Sequence, residues 1–144
     1  CKQLSLAILI ALEYAHLKPE DIDYICLDGA ATKVGDISET KAIKEVFNGT
    51  SENMHCSAPK SIFGNMLGAT GGLDVITTLL AMEHNMIPPT INLENPDPEC
   101  DLNYCANQAV EKEINNALII NRGRGGINCA LVLQKNLTQE RSSP

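Results

Sequence analysis

The residues able to do chemistry are few and strung along the chain. Asp28 ends an apolar run, Tyr24-Ile25-Cys26-Leu27, and is followed by Gly29-Ala30-Ala31-Thr32, small residues that let a loop approach another group closely. Lys60 enters a tight glycine turn within Ser57–Gly72. Asn65 stands at the mouth of the long apolar segment that follows, which carries Asp74. Exposed backbone N–H groups and the positive end of a helix dipole gather at such a mouth, so a polar side chain there either caps the helix or faces a site. A carboxylate accepts hydrogen bonds, an ammonium donates them, and an amide donates but cannot exchange a proton.

The other reactive side chains form no constellation. His16, His55 and His84 fall at helix ends or loop edges and read as surface or packing residues. The six cysteines include no C-x-x-C pair, and no histidine lies at finger spacing, which argues against zinc or any other metal site. Cys26, Cys56 and Cys129 lie in strand-like runs and read as small buried apolar residues, a usage suited to a reducing cytoplasm. Aromatic residues make up 3% of the chain and the net charge is −7, which argues against stacking on bases and against binding a phosphate backbone. No apolar run reaches the roughly 18 residues needed to span a bilayer, and no signal peptide is visible. An apolar content of 44% suffices for a single-domain core.

The elements that must position these residues follow from periodicity. Residues 2–17 predict a helix buried on most sides, stopped by Pro19. Residues 24–27 predict a short buried strand. A second helix runs from Gly35-Asp36 to Phe47, with Ser38, Glu39 and Lys41 on its exposed face. Asn48 to Asn53 reads as a polar loop and Met54 to Ser57 as an extended piece. From about Asn65 to His84 the chain predicts a helix that is apolar nearly all round, and so covered on every side. Gly68, Gly71 and Gly72 within it are tolerable only where another backbone packs closely. Ile87 to Pro98 is an extended, proline-set arm. Ala117 to Asn121 and Ile127 to Leu133 predict two strands joined by Arg122-Gly123-Arg124-Gly125-Gly126. The order α-β-α-β-α-arm-β-β implies a mixed α/β layer closed by a hairpin. Residues 1–135 form the folded unit and 136–144 a polar tail.

Five stretches in order carry a resemblance: DGAATKVGDISET from Asp28, PKSIFGN from Pro59, LGATGGLD from Leu67, IPPTINLENPDPECDLNY from Ile87, and NRGRGGINCALVL from Asn121. Together they resemble the C-terminal half of a type II β-ketoacyl-acyl carrier protein synthase, of the thiolase-like superfamily. The resemblance implies a thiolase fold of two similar halves in five layers, αβαβα, with the buried helices of both halves in the middle. The missing cover of the Asn65 helix would then be the N-terminal half, produced separately by cleavage or a split gene, and this chain alone would not be stable.

The chain departs from that family where its chemistry lies. Active members use a cysteine, which the resemblance assigns to the N-terminal half, and two histidines. The first histidine position, in H-G-T-x-T, is Asp28 here, and the second, closing K-S-x-x-G-H, is Asn65. Lys60, Thr32 and Asp74 match retained positions. The gating phenylalanine of G-F-G-G is replaced by Arg124, between Gly123 and Gly125 at the cavity. Elongation builds an enolate that two imidazole N–H groups would stabilise, and losing one such donor costs ~10²–10³ in rate. A carboxylate at the first position repels that charge. The resemblance therefore points to a catalytically silent subunit, like the chain-length factor of type II polyketide synthases, with Lys60 neutralising Asp28. Its partners would be the N-terminal half, an active ketosynthase and, indirectly, an acyl carrier protein bearing phosphopantetheine thioesters. No bound cofactor is expected. A condensing or decarboxylating enzyme using Lys60 and Asn65 as donors stays open, as does a purely structural scaffold.

Overall fold

A computed structural model describes residues 2–48 and 54–135. The expected tail, 136–144, and residues 49–53 of the expected polar loop lie outside the described residues. Among the described residues four α-helices, α1 (Lys2–Ala15), α2 (Lys33–Val46), α3 (Lys60–Phe63) and α4 (Thr70–His84), accompany six strands: β1 (Tyr24–Cys26), β2 (His55–Ser57), β3 (Met86–Ile87), β4 (Val110–Glu111), β5 (Asn116–Arg122) and β6 (Asn128–Gln134). The main sheet has the order β2-β1-β5-β6. β1 runs parallel to β2 and β5, and β6 returns antiparallel along β5, pairing Asn116 with Gln134 and Arg122 with Asn128.

The central strands are apolar because both faces are covered. Ile25, Leu118, Ile120 and Cys56 pack with Leu4, Ile8, Leu12, Ala42, Ile43 and Phe47 of α1 and α2. Tyr24, Cys26, Ala117 and Ile119 point the other way, toward Ala81 and Met82 of α4 and Ile87. The strand period of two thus divides one short sheet between two cores.

Several expectations are corrected. α1 buries one stripe, Leu4, Ser5, Ile8 and Leu12, while Leu6, Leu9, Ile10 and Tyr14 are exposed. Helix α4 starts at Thr70 instead of Asn65, because Gly64 and Leu67 take positive φ values of 83° and 55° that no α-helix contains. A separate short helix, α3, and a 3₁₀ turn at Leu67–Ala69 fill the gap. The stripe of α4 that faces the sheet is polar in its first half, with Thr70, Asp74 and Thr78 buried before Ala81 and Met82. Its other side exposes Ile76, Leu79 and Leu80, the apolar surface expected to find no cover within this chain. A Cβ on Gly71 would meet Asn121 Oδ1 at 3.3 Å, whereas Gly68 and Gly72 face open space. Cys129 is exposed instead of buried, because β6 forms an edge of the sheet and Cys129 and Leu131 lie on its outward register. Glu39 is buried, not on the exposed face of α2.

The proline-set arm is tied down at intervals. Met86–Ile87 pairs antiparallel with Val110–Glu111, and Thr90 bridges Ala106. The Thr90 hydroxyl accepts from Ala58 N at 2.9 Å, and Ser61 Oγ accepts from Ile91 N at 2.9 Å. These bonds close the arm over the ends of β1 and β2.

Candidate functional site

Parallel strands of one sheet deliver their following loops to the same end, and a crevice beyond those carboxyl ends is a natural place for a site. Asp28 follows β1, Lys60 follows β2 by way of Pro59, and Arg122 ends β5. The three meet. Lys60 Nζ donates to Asp28 Oδ1 and to the Asp28 carbonyl, each at 2.5 Å, and the two side chains are 7% and 8% exposed. The Arg122 backbone N–H adds a bond to Asp28 Oδ1 at 3.2 Å. A buried carboxylate needs such partners, since an isolated buried charge is costly.

Glu39 supports this arrangement from behind. One turn of α2 separates it from Gly35 and another from Ile43, so it points inward beneath the end of β1. Its Oε1 accepts from Asp28 N at 2.8 Å and its Oε2 from Gly29 N at 3.1 Å. Burial pushes the Glu39 carboxyl up to about 7, against the lowering effect of the two N–H groups. Gly29 takes φ +47°, and a Cβ there would sit 2.5 Å from Ala58 Cβ, so the loop needs glycine at this close approach. The Arg122 guanidinium is turned inward and donates to Gly35 O at 2.9 Å.

Asn65 is held differently. It is exposed, and its Oδ1 accepts from Leu67 N at 2.9 Å and from Thr70 Oγ1 at 3.1 Å. Thr70 Oγ1 in turn accepts from Met66 N at 3.0 Å. A backbone N–H can only donate, so the atom facing Leu67 N is the amide oxygen, and Nδ2 makes no hydrogen bond among the described residues. Asn65 thus organises the entry to α4 through its oxygen while also facing a cleft.

That cleft has a volume of about 600 Å³. Lys60, Asn65 and Ser61 line one side, Gly29, Ala30 and Ala31 a second, and the arm at Thr90, Ile91 and Leu93 a third. The expected residues are therefore only partly gathered. Lys60 and Asn65 share the cleft, and the Asp28 carboxylate joins them through Lys60. Thr32 is exposed at the start of α2, where its carbonyl accepts from Asp36 N at 2.9 Å. Asp74 is buried under α4 and accepts from Asn121 Nδ2 at 2.7 Å. Burial raises its carboxyl above the usual range, opposed by the Asn121 bond. Gly123, Arg124 and Gly125 are exposed on the β5–β6 turn and do not line the cleft.

Glu39, Arg122 and Asn121 are the participants that sequence reasoning missed. Glu39 carries a usable signal: it falls one turn before Ile43, an apolar position of the same helix, so helical periodicity places it inward. Among the described residues no cluster of histidine, cysteine and carboxylate side chains could hold a metal, and no helix is long and apolar enough to cross a membrane.

Comparison with known proteins gives the wider context. The family model described as "Beta-ketoacyl synthase, C-terminal domain" matches residues 2–94. A 3-oxoacyl-(acyl-carrier-protein) synthase 2 of Synechocystis sp. is 42% identical over 129 residues, covering 90% of this chain and 31% of the relative. Among solved structures, a type II polyketide synthase acyl-carrier protein in complex with its ketosynthase bound to the hexaketide includes a chain that superposes with a TM-score of 0.88 at 33% identity. That match covers 91% of this chain and 32% of the other. The ishigamide ketosynthase/chain length factor gives a TM-score of 0.87 at 35% identity, over 92% and 32%. The chain spans about a third of the length of these relatives.

Proposed function

Because the chain belongs to the β-ketoacyl synthase C-terminal domain family and has its thiolase-like fold, we propose that it is part of a catalytically silent ketosynthase-like subunit of the chain-length-factor kind. Such a subunit pairs with an active ketosynthase and shapes the space in which a polyketide chain grows. The observation that carries this reading is the closed Lys60–Asp28 pair at the position where the family's first histidine stands.

Condensation needs N–H donors aimed at a developing enolate oxygen. Asp28 offers only acceptors while ionised, and its ion pair with Lys60 engages the nearest cation twice over, on the carboxylate and on the carbonyl. Asn65 commits its oxygen to Leu67 and Thr70, and its amide cannot act as an acid or base. The small and aliphatic side chains along the cleft, Ala30, Ala31, Ile91 and Leu93, suit an acyl or polyketide chain better than a charged reactant. The N-terminal half of the fold would cover Ile76, Leu79 and Leu80 of α4. Acyl carrier proteins are usually acidic, and at a net charge of −7 this chain is poorly suited to docking one directly, so the active partner supplies that surface.

A second reading is favoured by Asn65, which lines the cleft and whose Nδ2, with no hydrogen-bond partner among the described residues, could donate to an oxyanion beside Lys60. One experiment separates the two. The intact protein that carries this chain is given malonyl-acyl carrier protein without an active ketosynthase, and CO₂ release is followed. The silent reading expects background release. Release well above background that disappears in Lys60→Ala or Asn65→Ala would establish the enzymatic reading instead.

A further inference from the structure

The region around Asp28 holds four carboxylates, Asp28, Asp36, Glu39 and Asp74, and two cations, Lys60 and Arg122. Lys60 is committed to Asp28, and the Arg122 guanidinium bonds the Gly35 carbonyl. Glu39 is 4% exposed and bonded to the N–H groups of Asp28 and Gly29, with no cation in hydrogen-bond contact among the described residues. Those two N–H groups belong to the loop whose next residues, Ala30 and Ala31, form a wall of the cleft. Glu39 is therefore the peg that ties this wall to α2.

We infer that Glu39 makes the cleft wall at residues 28–31 sensitive to pH, so that acid holds the loop against α2 and alkali releases it. The sign follows from where the carboxyl goes. With the loop in place Glu39 is out of water, and burying a neutral carboxyl costs less than burying a carboxylate. With the loop lifted it returns to water. The seated form thus binds the proton more tightly and gains ground as pH falls. The groups facing Glu39 act in both directions. Burial is the largest influence and raises it. The two N–H groups and the Arg122 guanidinium at the end of β5 lower it, and the Asp28 carboxylate raises it. Cys56 on β2 and Tyr104, which bridges Cys56 from the segment after the arm, also face it, and burial pushes both far above their usual values, so they remain neutral. Asp36, on α2 itself, is raised by its own burial. The inference holds whether the cleft carries out chemistry or only shapes a product.

Glu39 titrating at about 7 when seated, against 4.5 in water, makes the opening equilibrium rise about tenfold between pH 6 and pH 8. Hydrogen exchange of the intact protein reads this directly, with labelling times scaled for the intrinsic pH dependence of exchange. The amides of residues 28–32 should lose about tenfold in protection over that range while those of β5 stay constant. In Glu39→Gln the change should vanish. In Asp28→Asn, where the neighbouring negative charge is removed, the midpoint should move to lower pH. Wild-type protection that is flat from pH 6 to 8 would overturn the inference. So would a Glu39→Gln variant that keeps the slope, or an unmoved midpoint in Asp28→Asn.

Discussion

Asn65 lines the cleft and Asp28 lies behind it, reached through Lys60, and the fold treats the two in opposite ways. Asp28 is buried, ion-paired, and bonded through its backbone to Glu39. Asn65 is in water and bonded only to the turn that it begins. The contrast separates a position that the core depends on from one that is locally useful and chemically available. Both replace a histidine in the family resemblance. Changing the first disturbs the packing of three strand ends, whereas changing the second disturbs one helix entry.

Substitutions can break or sharpen that contrast. The largest effect is expected from Lys60→Met, which leaves the Asp28 carboxylate buried without its cation and should cost about 3–5 kcal/mol in a urea titration of the intact protein. A loss below 1 kcal/mol would mean that Asp28 reaches water and that the two positions are alike.

Glu39 gives the next largest effect, and it depends on pH. Its folded value of about 7 lies above the ordinary 4.5, so the stability it contributes is present below 4.5 and lost as pH rises through about 7. Glu39→Gln should remove that slope, a change on the order of 3 kcal/mol across the window, measured as denaturant midpoints at several pH values. Asp74 and Asp36 are shifted in the same direction by burial and should leave a residual slope of the same sign.

Thr70→Val is expected to cost about 1–2 kcal/mol, because it removes the acceptor of Met66 N and the donor to Asn65 at a buried site. Asn65→Ala should cost less, about 0.5–1 kcal/mol, as for a lost helix cap. If Asn65→Ala proved as harmful as Lys60→Met, Asn65 would belong to the core network and the contrast would fail. Smallest of all, Lys44→Ala breaks an exposed pair with Asp101 and should leave the denaturant midpoint nearly unchanged.

The residues themselves carried the element types. Continuous apolar runs marked β1 and β5, Pro19 bounded the first helix although α1 ends earlier, at Ala15, where His16 takes φ 55°, and the glycine turn at 123–126 joined the last two strands. The motif order from Asp28 to Leu133 also carried the family and with it the thiolase-like layer. These signals are local, because periodicity, proline and glycine act on a few neighbouring residues. Short pieces escaped: α3 and the two-residue strands β3 and β4 contain too few residues for a period to show.

What tertiary structure alone decided is which polar atoms meet. Periodicity can place Glu39 on the inward side of α2, but that its carboxyl meets two N–H groups appears only once the end of β1 is laid across it. Lys60 and Asp28 are separated by a whole helix and a strand, and only the parallel pairing of β1 with β2 brings their loops to one end. α4 appears uniformly apolar in sequence, but packing turns its Thr70-Asp74-Thr78 stripe inward and its leucines outward. Hydrophobicity along the chain gives the amount of surface to be buried. Which side is buried, and against which partner, depends on contacts between residues far apart in sequence, and those exist only once the chain is folded.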